Sequence, residues 1–143
     1  MSSSDALHPL QFQMFMPARE LQGLTPSDFN PVTAQDRRVA AEAGLTLHRP
    51  STVDEMWANK LEESKAEEYN IESERSLHDR IASEGVKEPV QVTRTAADFG
   101  EGTSRAHLSN QDVLFDGHHR VAAAANIDPN MEVPVEHFNI QVY

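Results

Sequence analysis

Val113-Leu114-Phe115-Asp116-Gly117-His118-His119-Arg120-Val121-Ala122-Ala123-Ala124-Ala125 is the stretch on which the fold turns. Val113 to Phe115 is an apolar run of strand length, Gly117 admits a backbone angle that a Cβ would forbid, and Ala122 to Ala125 are strong helix formers. The run predicts a buried strand, a tight turn and a helix in succession. That order sets His118, His119 and Arg120 in a first helical turn. There, free N–H groups and the positive end of the helix dipole attract an anion, and a guanidinium adds a charged fork of donors. Asp116, just ahead of the turn, is an acid suited to hold a metal ion or to accept a proton. A plainer reading makes Asp116 a cap of the helix or turn and leaves the histidines solvated or satisfied locally. The unbroken polar run between strand and helix favours a site. A metal centre built from His118 and His119 alone is the poorest reading, because adjacent helical residues point about 100° apart.

Working outward, Asp128-Pro129-Asn130 reads as a turn and 133–138 as a strand running on toward Val142. Upstream, Pro89 to Val92 reads as a strand, with proline tolerated at its first position. Ser76 with Asp79 three residues on marks a helix over 76–84, burying Leu77 and Ile81 and stopped by Gly85; His78 on it reads as exposed. Residues 93–110 read as a polar loop with Gly100 and Gly102, long enough to be disordered or a lid. Arg94, Arg105 and His107 stand at its ends, placed to fold over an anion at the turn.

Thr52 followed by Glu55 is a capping signature that predicts a helix over 53–67. Val53, Met56, Trp57 and Leu61 fall at helical spacing and bury one stripe, leaving Glu62, Glu63, Lys65, Glu67 and Glu68 in water. Trp57 reads as core rather than as a base-stacking surface. Ala34 to Ala43, ended by Gly44, is a short helix or a mobile loop. Thr25-Pro26-Ser27-Asp28 is a loop or a helix start capped by Thr25. Phe12 to Leu24 reads as a short strand passing into a helical turn after Pro17. Residues 1–11 are a polar, flexible lead, and 12–143 form a single domain.

A length of 143 residues suits one domain with one core. The net charge of −11 argues against a surface that grips bare nucleic acid, because phosphate neutralisation needs clustered Lys and Arg. The chain has no cysteine, which removes disulfides and thiolate chemistry and fits a reducing cytoplasm. No apolar run reaches membrane-spanning length, and the N-terminus lacks the features of a signal peptide, so a cytoplasmic protein is expected.

The order Leu77…Ile81…Gly85-Val86…Pro89-Val90-Gln91-Val92, then Val113 to Ala124, then Val133-Pro134-Val135, resembles the ParB N-terminal domain and sulfiredoxin-like superfamily. The resemblance covers about Ser76 to Phe138, with a looser likeness at Phe15 to Leu21. It is strongest toward short ParB-like proteins of actinobacteria and their phages and toward the free-serine-kinase branch. It implies an α/β (α+β) fold, a single ParB/sulfiredoxin-like domain with a small mixed sheet flanked by helices. It also implies a nucleotide or other phosphate ligand at the turn, bound by Gly117, His118, His119 and Arg120. Asp116 is then the holder of Mg²⁺ or the general base, with His119 and Glu20 as further catalytic residues. Partition ParB proteins carry glycine-glutamate-arginine-arginine at this turn, and His118 and His119 replace its middle residues here, so a CTP clamp is not expected. Sulfiredoxin thiol chemistry is excluded without cysteine. The stretch up to Tyr143 leaves no segment for a helix-turn-helix, so sequence-specific DNA binding of that kind is not expected.

Two functions follow. The first is a nucleotide- or phosphate-binding protein with NTPase, small-molecule kinase or nuclease activity, the nuclease being disfavoured by the acidic balance. In it, Arg120→Ala is expected to weaken binding roughly tenfold and leave the fold intact, and binding is expected to strengthen as His118 or His119 is protonated below about pH 6.5. The second is a non-catalytic acidic interaction protein, phage-encoded and acting in the host cytoplasm, whose helix over 51–69 binds a basic host protein.

Overall fold

The computed structural model describes residues 13–47, 49–66 and 75–137. The lead over 1–11, the end of the 53–67 helix and the strand beyond His137 lie outside the described residues. In chain order the elements are β1 (Gln13–Pro17), α1 (Ala18–Gln22), β2 (Thr25–Pro26), α2 (Ala34–Glu42), α3 (Val53–Lys65), α4 (Leu77–Glu84) and β3 (Val90–Arg94). A 3-10 turn (Ala106–Leu108), β4 (Asp112–Asp116), α5 (His118–Ile127) and β5 (Glu132–His137) complete them. The strands form one mixed sheet in the order β1-β5-β3-β4-β2. β1 with β5 and β3 with β4 are antiparallel, whereas β3 with β5 and β2 with β4 are parallel. This is the α+β arrangement of a small mixed sheet with helices packed on it.

The helices start where hydroxyl side chains can cap them. Thr33, Thr52 and Ser76 accept hydrogen bonds from the N–H groups of Asp36, Glu55 and Asp79, which satisfies one otherwise orphaned donor in each helix. α1, α3 and α4 all pack on α5, which lies at the centre of the helical layer. Alternation along the strands sends Val90, Val92, Leu114, Val133 and Val135 into the main core, where they meet Met56, Trp57, Ile81 and Val121. Trp57 is therefore a core residue, while Leu61 and Leu77 sit at the rim, partly buried.

Two expectations are corrected here. Thr25-Pro26 is not a helix start; it is a short edge strand parallel to β4, where the missing proline N–H is tolerated. Nor does the 93–110 segment form a lid. β3 extends to Arg94, and the rest folds onto the opposite sheet face, burying Phe99 and Leu108 against Val113 and Phe115. The Thr95 hydroxyl donates to the Leu108 carbonyl at 2.6 Å, which pins the segment from inside. Its basic residues are spent locally. Arg94 faces Asp112 at 3.8 Å, at the far end of the β3–β4 pair from Asp116. Arg105 lies over the Phe99 and Phe115 rings, and the His107 ring bridges the Ser104 and Phe29 carbonyls, 3.0 Å from each. No helix among the described residues is long and apolar enough to cross a membrane.

Candidate functional site

β4 ends at Asp116, Gly117 turns the chain with a φ of 98°, and α5 begins at His118. The strand–turn–helix read from the sequence is present, with the strand one residue longer at each end than Val113 to Phe115. Gly117 is required twice over: for the positive φ, and because a Cβ there would lie 2.5 Å from Val90 Cγ1. The side of Gly117 where a Cβ would stand is thus occupied by β3. Like the short α1, and unlike α2, α3 and α4, α5 has no side-chain cap on its first turn. That turn opens into a cleft of about 240 Å³ lined by Asp28, Leu77, Phe115, Asp116 and residues 117–120.

The residues of the turn divide between scaffold and cleft. His118 points inward. Its side chain is only 3% exposed, its ring centroid lies 5.9 Å from that of Trp57, and its Nδ1 is 3.3 Å from Asp28 Oδ2. Burial pushes its pKa down from 6.5 to about 4, against the upward pull of the Asp28 carboxylate, so His118 is neutral at pH 7. The expected gain in ligand binding from its protonation near pH 6.5 is therefore corrected. With Asp28 ionised, Nδ1 carries the proton and Nε2 is left as a buried lone pair with no hydrogen-bond partner. His119 sits a third of a helical turn on and is half-buried, with its Nε2 3.0 Å from Glu63 Oε1. Glu63 is thus a partner of the site rather than a freely solvated acid.

Arg120 is built into the scaffold. Its Nη1 donates to the Glu88 and Pro89 carbonyls at 2.9 and 3.0 Å, and its Nη2 donates to Asp116 Oδ2 at 3.4 Å. The guanidinium therefore fastens α5 to the chain entering β3, so its removal is expected to cost stability as well as any ligand contact. Asp116 keeps 63% of its side chain exposed beside this contact. Glu20 is not part of the cleft. It is exposed on α1, whose Ala18 and Arg19 N–H groups bond to the Met131 and Pro129 carbonyls beyond the far end of α5. A helix of that length separates its two ends by about 15 Å.

Asp28, Lys60 and Glu63 are site residues that sequence reading did not select. β2 runs parallel to β4, and Ser27 N–H bonds to the Leu114 carbonyl at 3.0 Å, so the next residue, Asp28, arrives beside the turn. Lys60 on α3 donates to Asp28 Oδ2 at 2.8 Å. Burial alone would raise the Asp28 pKa, but the Lys60 hydrogen bond and the nearby charges of His118, Lys60 and His119 hold it below the ordinary 3.8. The α3 spacing offered a signal: Lys60 and Glu63 flank the buried stripe of Trp57 and Leu61, on the edge that borders a neighbouring helix.

Among the described residues, no group of three or more His, Asp or Glu side chains is arranged to hold a metal ion. A metal at Asp116 would need other oxygen ligands to complete its shell. The exposed carboxylate is a hard oxygen donor and fits Mg²⁺, which is commonly held by one or two carboxylates with phosphate oxygens and water. The chain matches no family model, no curated protein and no solved structure.

Proposed function

We propose that the cleft at the start of α5 binds a phosphate-bearing small molecule, a nucleotide in the first instance, accompanied by Mg²⁺ at Asp116. The observation that carries this reading is the uncapped first turn of α5 opening into a lined cleft, while α2, α3 and α4 each have a hydroxyl cap. Free N–H groups at a helix start attract a phosphate. Lys60, His119 and Arg120 add cationic or donor groups around it. The carboxylate of Asp116 would repel a bare anion, and a shared Mg²⁺ turns that repulsion into attraction. The resemblance of the strand–turn–helix to the ParB and sulfiredoxin-like superfamily supports the same ligand class. Nucleotide and Mg²⁺ also suit the cytoplasmic setting expected of a chain without cysteine.

Group transfer is chemically within reach of such a site, because phosphoryl transfer asks the protein mainly to position groups and neutralise charge. In that case Asp116 and His119 are the groups close enough to the ligand to take part; Glu20 is too far away. The test is thermal unfolding with a panel of nucleotides and inorganic phosphate, in Mg²⁺ and in EDTA. A rise in melting temperature that needs both nucleotide and Mg²⁺ is expected, with ³¹P NMR to detect turnover. No shift with any of them rejects the reading. A second reading, an acidic interaction protein, is favoured by the outer face of α3, where Asp54 is exposed and Glu62 keeps 76% of its side chain exposed. Silence across the nucleotide panel with saturable binding of a basic protein would select it.

A further inference from the structure

We propose that Asp28 is a built-in counter-anion of the cleft, which an incoming phosphate group displaces in order to take over Lys60 and His118. This rests on the phosphate-binding reading above. Three observations carry it. First, Lys60 Nζ and His118 Nδ1 converge on the same oxygen, Asp28 Oδ2, at 2.8 and 3.3 Å. An ammonium and an imidazole nitrogen within reach of one carboxylate oxygen at the cleft wall are groups that can also hold an oxyanion. Second, the donors are fixed and the acceptor is not. Lys60 and His118 are only 17% and 3% exposed and stand on packed helices, whereas Asp28 is 45% exposed and follows β2 in irregular chain. The backbone there is held by Ser27, so withdrawing the carboxylate takes side-chain torsions of Asp28 alone.

Third, among the described residues Asp28 is the only ion-pair partner of Lys60. Once the carboxylate swings away, a mostly buried ammonium is left unpaired, a costly state that an anion relieves. A divalent cation binding at Asp28 would instead confront the Lys60 ammonium or evict it. The geometry therefore selects an anion for this corner of the cleft and leaves the cation to Asp116. Asp28 is ionised at neutral pH, as the exchange requires: burial raises its carboxyl, but the Lys60 hydrogen bond and charge help to hold it below the ordinary 3.8. The consequence is a site whose affinity for phosphate is set down by its own aspartate, and which takes up only ligands able to outcompete a carboxylate.

The test is calorimetric titration of wild type and Asp28→Asn with inorganic phosphate and with pyrophosphate. Asparagine keeps the shape and removes the charge, so Asp28→Asn should bind about tenfold more tightly, the change that loss of one like-charge contact near a surface brings. Tight binding by Asp28→Asn beside a silent wild type also supports the inference, since it identifies the carboxylate as the block. Binding by wild type with equal or weaker binding by Asp28→Asn overturns the inference and leaves the phosphate-binding reading standing. Failure of both proteins to bind overturns the inference, and the phosphate-binding reading is then decided by the nucleotide panel with Mg²⁺ described above. A wild-type measurement guards against loss of fold in the variant. On phosphate titration the ¹⁵N resonance of His118 Nδ1 should move as its acceptor changes, and a resonance that stays still while phosphate binds overturns the exchange.

Discussion

Replacing His118 with leucine should make the fold markedly less sensitive to acid. Burial pushes the imidazolium of His118 down from 6.5 to about 4, so between those pH values the unfolded chain takes up a proton that the folded chain refuses. The unfolded state then binds more protons, and by linkage stability falls as pH falls across this window. At about 1.36 kcal/mol for each pH unit, the group removes roughly 3 kcal/mol by pH 4 and about 2.5 kcal/mol by pH 4.5. Against the roughly 5–15 kcal/mol of a typical domain this is a large fraction. Asp28 acts in a separate, lower window, since its carboxyl is held below 3.8 and the stability it contributes is lost only as pH falls through that depressed value. The assay is urea unfolding of wild type and His118→Leu at pH 7 and pH 4.5, followed by the fluorescence of Trp57, the only tryptophan. The quantity read is the difference in pH dependence, which cancels any constant packing cost of the substitution. Wild type should lose about 2.5 kcal/mol more than the variant between the two pH values. Equal losses would refute the reasoning, because the imidazole would then titrate alike in both states.

Two further substitutions test the frame around the turn. Arg120→Ala should cost about 1.5–3 kcal/mol in urea unfolding, since the Glu88 and Pro89 carbonyls lose a charged donor, and a variant as stable as wild type would show that these contacts contribute nothing. Gly117→Ala should destabilise by about 2–4 kcal/mol, combining a left-handed φ with a Cβ driven into Val90; a neutral effect on the thermal midpoint would mean that the turn relaxes freely.

The turn was legible in the sequence because everything that makes it is local. An apolar run, a glycine and an alanine run state their conformations within thirteen consecutive positions, and Thr52 and Ser76 announce their helices by the same short-range logic. What was illegible comes from sheet order. Asp28 belongs to the site because β2 lies parallel to β4, a pairing that brings Ser27 to Phe115 across 88 residues and leaves no periodicity in either segment. The 93–110 segment was misread for a related reason. Its polar composition suggested a lid, yet two apolar residues, Phe99 and Leu108, suffice to seat it on the second face of the sheet.

The two histidines show how far the local code could have been pressed. On a helix, His118 shares a face with Val121 and Ala122, three and four residues on, and both are buried. His119, about 100° further round, leaves that face. Helical spacing alone therefore separates an inward histidine from an outward one, and the charge pattern follows from it. The inward ring is kept neutral by burial and stands 3.3 Å from Asp28, whereas the outward ring, a quarter exposed, meets Glu63. Adjacent identical residues thus do opposite work. One stands between the cleft and the core beside Trp57, and the other remains at the cleft wall.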